Sequence, residues 1–336
     1  MRTLLHTLSF APCRRAGVVA GFLGVLLLAP ILSSAETQFT IVALPDTQFY
    51  SESYPTTFTA QTTWIKNNQV GQNIVFVTHE GDIVNVNSNA SQWTNAATSM
   101  NVLDTTTIHY ATCPGNHDTD YGANYTNYAA NFGSARYSTK PGFLATTATK
   151  NNCLAMTFTA GSRQFLSLSL DSFDASTSIT FAQNQINAHL GMPTIVTLHS
   201  FYNTDGSFTG EGGQFWNNLF KVSGNSQIFM VLCGHVHGVF HDSDNDLDGK
   251  PVYEMLADYQ SEGQGGDGYM RLIQFDPDNS KIGVKTYSPV TGLYKTDAGN
   301  QFEYTGVDFS RLPEPATLSM LAIGVLTILR RARRAS

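Results

Sequence analysis

The sequence predicts a single α/β domain made of two packed β-sheets with helices against them. Three observations carry this. Short apolar runs of strand length alternate with stretches of helical period through the earlier part of the chain. The later part reads instead as successive antiparallel strands set apart by turns. No internal repeat, and no linker long enough to separate two independent domains, interrupts the chain.

Residues 39–44 form a short β-rich run that ends at Pro45-Asp46-Thr47-Gln48. Residues 56–69 follow as a helix carrying Phe58, Trp64 and Ile65. A second apolar run, 73–78, ends at His79-Glu80-Gly81-Asp82. The segment 91–103 places Trp93, Ala96, Met100 and Leu103 on one helical face. A third run, 108–113, ends at Gly115-Asn116-His117-Asp118, and Tyr125, Tyr128, Ala129 and Phe132 then line a further short helix. Residues 133–152 are polar and irregular and read as a surface loop, with a place over the site left open. A hairpin over 154–159 and 164–170 turns at Gly161-Ser162. A helix around 181–190 leads into the run 193–198, which ends at His199. A Gly-rich loop, 204–213, precedes a helix with Phe215, Trp216, Leu219 and Phe220. The run 228–233 then ends at Gly234-His235-Val236-His237, and strands at 251–256, 270–275 and 282–287 follow.

The net charge of -7, with no basic stripe to meet phosphates, argues against a nucleic-acid-binding surface. Only 13% of residues are charged, while Ser, Thr, Asn and Gln abound, as in exported proteins. The first 35 residues read as a signal peptide. Arg2, Arg14 and Arg15 give a basic region, 16–32 is apolar, and Ser33-Ser34-Ala35 offers small residues for cleavage. A membrane anchor is the alternative. Loss of the three arginines takes the net charge from -7 to -10. At the other end Pro313-Glu314-Pro315 precedes an apolar stretch, 316–329, and Arg330-Arg331-Ala332-Arg333-Arg334. That stretch is shorter than the ~20 residues of a full span, and the basic cluster stays cytoplasmic. The order of these parts resembles the PEP-CTERM sorting signal. The resemblance implies that 311–336 is a processed address read by exosortase-like export and sorting machinery. It also implies a protein of the periplasm, outer surface or extracellular matrix of a Gram-negative bacterium, touching membrane only through its terminal segments. A short tail anchor is the alternative there. The domain proper is then 36–310. It keeps Cys113, Cys153 and Cys233, an odd number that gives no disulfide framework.

Five apolar runs end in groups that bind metal: Asp46 with Gln48, Asp82, Asn116 with His117, His199, and His235 with His237. Hard oxygen and imidazole donors at one sheet edge suit Mn, Fe, Zn or a mixed pair, and no cysteine points to a closed thiolate site. In this order the motifs resemble those of the calcineurin-like metallophosphoesterases over roughly residues 40–290, most of the chain left after the signal segment. The resemblance implies two packed mixed sheets flanked by helices and a hydrolase acting on small phosphate esters, nucleotide-type esters included. It implies two divalent or trivalent ions bridged by Asp82, one held by Asp46, Gln48 and His237, the other by Asn116, His199 and His235. A hydroxide shared by the ions would attack phosphorus. His117 would protonate the leaving oxygen, oriented by a carboxylate such as Asp118.

Gln48 departs from the family pattern, which has histidine there. An amide oxygen is a harder and weaker ligand than imidazole, so the first metal is expected to bind more loosely or to be a harder ion such as Mn. The alternative function is a surface-sorted binding or matrix protein that keeps the fold with a weakened site. Asn85 stands where purple acid phosphatases carry the Tyr three residues after the Gly-Asp. His79 reads as a hydrogen-bonded loop residue or a neighbour of the ligands, His109 as core, and His241 as an occasional cleft residue. The acidic run 244–249 mimics the start of a calcium loop but reads better as an acidic turn.

Overall fold

Phe39–Leu44 is buried at every position, as a strand covered on both faces must be. It is the first strand, β1, of a chain that the computed structural model describes from residue 38 to residue 309. The expected signal segment and sorting tail lie outside the described residues. In order the elements are β1 (Phe39–Leu44), α1 (Gln48–Ser53), α2 (Pro55–Asn68), β2 (Ile74–His79), α3 (Ala90–Asn101), β3 (His109–Thr112), α4 (Asn116–Thr119), α5 (Thr126–Phe132) and α6 (Ser134–Tyr137). Next come β4 (Phe143–Thr146), β5 (Leu154–Ala160), β6 (Arg163–Leu170), α7 (Ala175–Ala188), β7 (Thr194–Leu198), α8 (Gly210–Phe215) and β8 (Ile228–Cys233). The chain closes with β9 (Gly238–Asn245), β10 (Pro251–Asp258), β11 (Met270–Asp276), β12 (Lys281–Tyr287), β13 (Tyr294–Lys295) and β14 (Gln301–Thr305).

Two mixed sheets result, in agreement with the expected fold class. One runs β13-β12-β11-β1-β2-β3 with β14 also on β12, and the other runs β4-β5-β6-β7-β8-β10-β9. Within them β1, β2 and β3 are parallel, and so are β6, β7, β8 and β10. Helices make the crossovers from β1 to β2, β2 to β3, β6 to β7 and β7 to β8, whereas β8 reaches its parallel neighbour β10 through the edge strand β9. Pro55 opens α2 where no backbone donor is lost, and the Asn89 side chain caps α3 by accepting from the Ser91 N–H. Trp93, Ala96 and Met100 are buried, as the helical period of that segment predicts.

Phenylalanine rings fill the seam between the sheets. Phe76 stacks on Phe158 at 4.5 Å between centroids, Phe39 meets Phe165 at 5.5 Å, and Phe275 meets Phe229 at 6.2 Å. Toward the carboxyl ends of β2 and β7 the seam turns polar, and the hydroxyls of Thr78 and Thr197 meet at 2.8 Å. That contact ties together the two strand ends from which the candidate ligands leave.

The structure departs from expectation in the polar stretches. Residues 133–152 are not one irregular loop, because they contain α6 and the strand β4, which pairs with β5. The strand β9, Gly-Val-Phe-His-Asp-Ser-Asp-Asn, is an element the sequence does not announce, and it takes in the first two residues of the acidic run, with the turn tip left between it and β10. It is a half-exposed edge strand, where charge deters pairing with another sheet and erases the apolar signal. Helix α7 starts at Ala175, ahead of its apolar residues, because Ser178 is buried and donates its hydroxyl to the Asp171 carbonyl. Among the described residues no helix is long and apolar enough to cross a membrane.

Candidate metal centre

Each candidate ligand leaves the carboxyl end of a parallel strand, where crevices form in α/β sheets. Asp46 and Gln48 follow β1, Asp82 follows β2, Asn116 follows β3, His199 follows β7, and His235 and His237 follow β8. The backbone is forced here. Asp82 has φ 46° and His235 has φ 72°, left-handed conformations uncommon for residues with side chains and concentrated at functional sites. Two glycines let the loops close in. A Cβ on Gly115 would lie 2.1 Å from Asp82 Oδ1, and one on Gly234 would lie 2.4 Å from Asp46 Oδ1.

His199 is fully buried and central. Its Nδ1–H donates to the Glu80 carbonyl at 2.9 Å, which turns Nε2 inward. Nε2 lies 3.2 Å from Asp82 Oδ2, 3.0 Å from Asn116 Oδ1 and 3.2 Å from His235 Nδ1. Ligand atoms of Asp82, His199 and His235 all fall within 4.8 Å of one another, a group that could hold a metal ion. A second set gathers beside it. Asp46 Oδ2 accepts from the His235 N–H at 3.2 Å, while Asp46 Oδ1 and Gln48 Oε1 are buried without any hydrogen-bond partner. Two acceptors of that kind are costly unless a cation meets them. His237, half exposed, has Nε2 2.7 Å from Gln260 Nε2 and 3.9 Å from Asp258 Oδ2.

The charges tell the same story. Burial, with Asp258, Asp82 and Glu80 nearby, pushes the Asp46 carboxyl well above its ordinary pKa. Glu80 is raised by burial too, with Arg271 only partly opposing it. Burial works against the Asp82 charge, but the His199 ring beside it holds that carboxyl below the usual value. Burial likewise opposes a charged His199, and Asp82 more than offsets this and raises its pKa. Burial and the neighbouring His199 lower His235 to about 4, so its ring stays neutral and able to ligate. Buried carboxyl groups beside imidazoles are a donor set for hard or borderline cations, which displace the protons these groups otherwise hold.

His117 stands beside the ligands. Its backbone N–H donates to Asp82 Oδ1 at 2.9 Å and its Nδ1–H donates to the Asn85 carbonyl at 2.7 Å. Asp118 does not orient it, contrary to expectation. Both Asp118 oxygens are spent on backbone: Oδ1 accepts from Ile83 at 2.9 Å and Val84 at 3.0 Å, and Oδ2 from Gly115 at 2.8 Å. Adjacent residues on a helical turn do not face each other, and an Asp three residues past the cap folds back on it. Asp118 therefore ties the Asp82 loop to the Gly115 turn.

Other expectations resolve plainly. His79 is buried, bonded to the Thr47 hydroxyl at 2.9 Å and accepting from the Gly81 N–H at 3.2 Å, and burial lowers it to about 3. His109 is only half-buried, its Nδ1 2.9 Å from the Thr157 carbonyl. His241 stacks on Phe302 at 3.6 Å, turned to the other sheet rather than toward the ligands. The tip of the acidic run is the β9–β10 turn, where Asp246 Oδ1 accepts from Asp248 and Lys250. The three cysteines are buried and free.

Asp258, Gln260 and Phe173 are not among the ligands that the sequence singles out. Asp258 carried a signal, since it ends a sixth apolar run in a carboxylate, on β10, which is parallel to β8. Phe173 carried none, yet its ring stands 6.0 Å from that of His235 and 6.2 Å from that of His199.

This arrangement of sheets is the two-sheet sandwich of the calcineurin-like phosphoesterases. Purple acid phosphatase PPD1 from yellow lupin seeds matches with a TM-score of 0.53 at 14% identity, over 82% of this chain and 55% of that one. GAP50, the anchor in the inner membrane complex of Plasmodium, matches at 0.51 and 13% identity, over 82% of this chain and 95% of that one. In sequence the chain is similar to YvnB of Bacillus subtilis, named an uncharacterized protein, with 36% identity over 283 residues, or 81% of this chain. The chain spans 22% of the length of that relative. No family model matches the chain.

Proposed function

We propose that this protein is a dinuclear metal-dependent phosphoesterase that hydrolyses phosphomonoesters or phosphodiesters, nucleotide-type esters among them. The observation that carries the reading is a pair of donor sets around Asp82. Asn116 Oδ1, His199 Nε2 and His235 Nδ1 would hold one ion, and Asp46 Oδ1 and Gln48 Oε1, which accept no hydrogen bond, would with His237 hold the other. Mn, Fe and Zn fit such donors. When bound, two such ions supply an acidified water and positive charge for the phosphate oxygens.

The chain's own groups do the rest. Asp82 would be common to both sets, and its carboxylate would offset part of the repulsion between the cations. The Glu80 carbonyl fixes the tautomer of His199, keeping Nε2 on the site. His117, anchored through Nδ1 on Asn85, presents Nε2 to the departing ester oxygen and protonates it. Phe173, edge-on to His235, screens that flank from water.

The description of GAP50 as an anchor favours a second reading, a surface-sorted binding or matrix protein on the same fold. Retention of every donor except the one replaced by Gln48, together with His117, counts against it, since anchoring needs none of these groups. Export and exosortase-like sorting remain proposals supported by the terminal signals. The deciding experiment is metal analysis of the purified protein with hydrolysis of chromogenic mono- and diesters. Two ions per chain and turnover are expected. Less than one ion per chain, with no turnover in Mn, Fe, Co or Zn, leaves the binding reading.

A further inference from the structure

We infer that Gln260 is a positioning residue that, together with Asp258, orients the amide of Gln48 so that its oxygen, and not its nitrogen, faces the first metal position. The inference rests on the dinuclear reading above and adds a partner chain of three residues to it.

A glutamine makes a poor ligand unless something decides which end of the amide points inward, because oxygen and NH2 have nearly the same shape. Here the decision starts at Asp258, which is 1% exposed. Its Oδ1 accepts from the Gln260 backbone N–H at 2.8 Å and its Oδ2 accepts from Gln260 Nε2 at 3.1 Å. Reversing the Gln260 amide would set its oxygen against that carboxylate oxygen, so Nε2 is held toward Asp258. Gln260 Oε1 is then left to accept from Gln48 Nε2, and this is the contact the structure contains. With its nitrogen committed, Gln48 has Oε1 turned away, buried and accepting no hydrogen bond, like Asp46 Oδ1. Each link removes one of two orientations, and the last leaves an amide oxygen for a hard cation.

Gln260 also reaches the third member of that donor set. Its Nε2 lies 2.7 Å from His237 Nε2. His237 has one lone pair to give, to the amide or to a cation, and its side chain, 54% exposed, has room to turn between the two. All four residues lie at the ends of β1, β8 and β10, so the device belongs to the fold rather than to a passing loop contact.

The test uses the full protein, Mn(II) as probe, and two readouts other than turnover: metal content after dialysis and the EPR signal of a spin-coupled Mn pair. Gln260→Met keeps the volume and removes all three hydrogen bonds of the side-chain amide, to Asp258, Gln48 and His237. Loss of such a partner to a ligand typically costs about 10–100-fold in metal affinity. The expected result is a loss of that size at the weaker site, disappearance of the coupled signal, and retention of one Mn per chain. The retained ion shows that the fold survives. Asp258→Asn, which frees Gln260 to reverse, should give the same pattern and serves if Gln260→Met does not fold.

The specific readout is the Gln48→His background. An imidazole ligand needs no choice between oxygen and NH2, so Gln260→Met should cost less than about threefold there. An equal loss in both backgrounds, or two Mn bound as tightly as in the parent, overturns the inference while leaving the dinuclear reading intact. A parent protein that binds no Mn, Fe, Co or Zn overturns the reading itself.

Discussion

The imidazole of His117 has Nδ1 committed to the Asn85 carbonyl, which leaves Nε2 as the atom able to hand over a proton. It makes no donor contact of the kind that Asn116 makes with His199. His117→Ala should therefore keep both metals and lose about 10²–10⁴-fold in kcat. Asn116→Ala should lose the metal of the His199 and His235 side. Metal content measured beside kcat separates the two, and an emptied site in His117→Ala would refute the assignment. Asp118, one residue on, should behave differently again. Its fully buried carboxylate accepts from three backbone donors, and leaving such donors unpaired costs about 1–3 kcal/mol each. Asp118→Ala should lower Tm, measured by differential scanning calorimetry, before any effect on the pH dependence of turnover. A kinetic defect with unchanged Tm would return Asp118 to the role of orienter.

Strand ends and the turns that follow them set the site, and the closest approach among them is a stability and metal prediction together. Gly234 sits where a Cβ would come 2.4 Å from Asp46 Oδ1, so Gly234→Ala must displace either the β8 turn or the carboxylate. Loss of one ion per chain with a lower Tm is expected, and both quantities unchanged would show that the turn yields freely. Elements also explain what could be read in the sequence. β1, β2, β3, β7 and β8 are almost wholly buried, so the runs around them are mostly apolar and a ligand-type residue ending such a run stands out. The five-motif site was legible for that reason. Asp258 belongs to the same pattern, but its strand lies in the part of the chain that read as antiparallel, so its parallel pairing with β8 was hidden. β9 and β14, edge strands with polar or alternating burial, carried no comparable run. Phe173 was beyond sequence reasoning, since its place depends on a short turn after β6 that only the packed sheets define.

Taken as a whole, the molecule buries carboxyl groups faster than it buries cationic partners for them, and this fixes how its metal-free form should respond to pH. Asp118 is raised to about 7 and Glu254 to about 8 by burial, while Asp46 and Glu80 are raised well above their ordinary values. His199 is raised as well, Asp82 outweighing the effect of burial. In each case the folded chain holds a proton that the unfolded chain has given up, so stability falls as pH climbs through the folded pKa. The lowered His79 and His235, at about 3 and about 4, act in the opposite sense, but only below the unfolded histidine value near 6.5. Between about pH 6.5 and 8 the raised groups dominate. The chelated protein should lose Tm steadily across that interval in scanning calorimetry. Added Mn should restore more at pH 8 than at pH 6.5, because cation and proton compete for Asp46 and its neighbours. A chelated protein whose Tm rises over the same interval would mean that the buried carboxyls already have adequate partners, and the need for a cation at Asp46 would go with it.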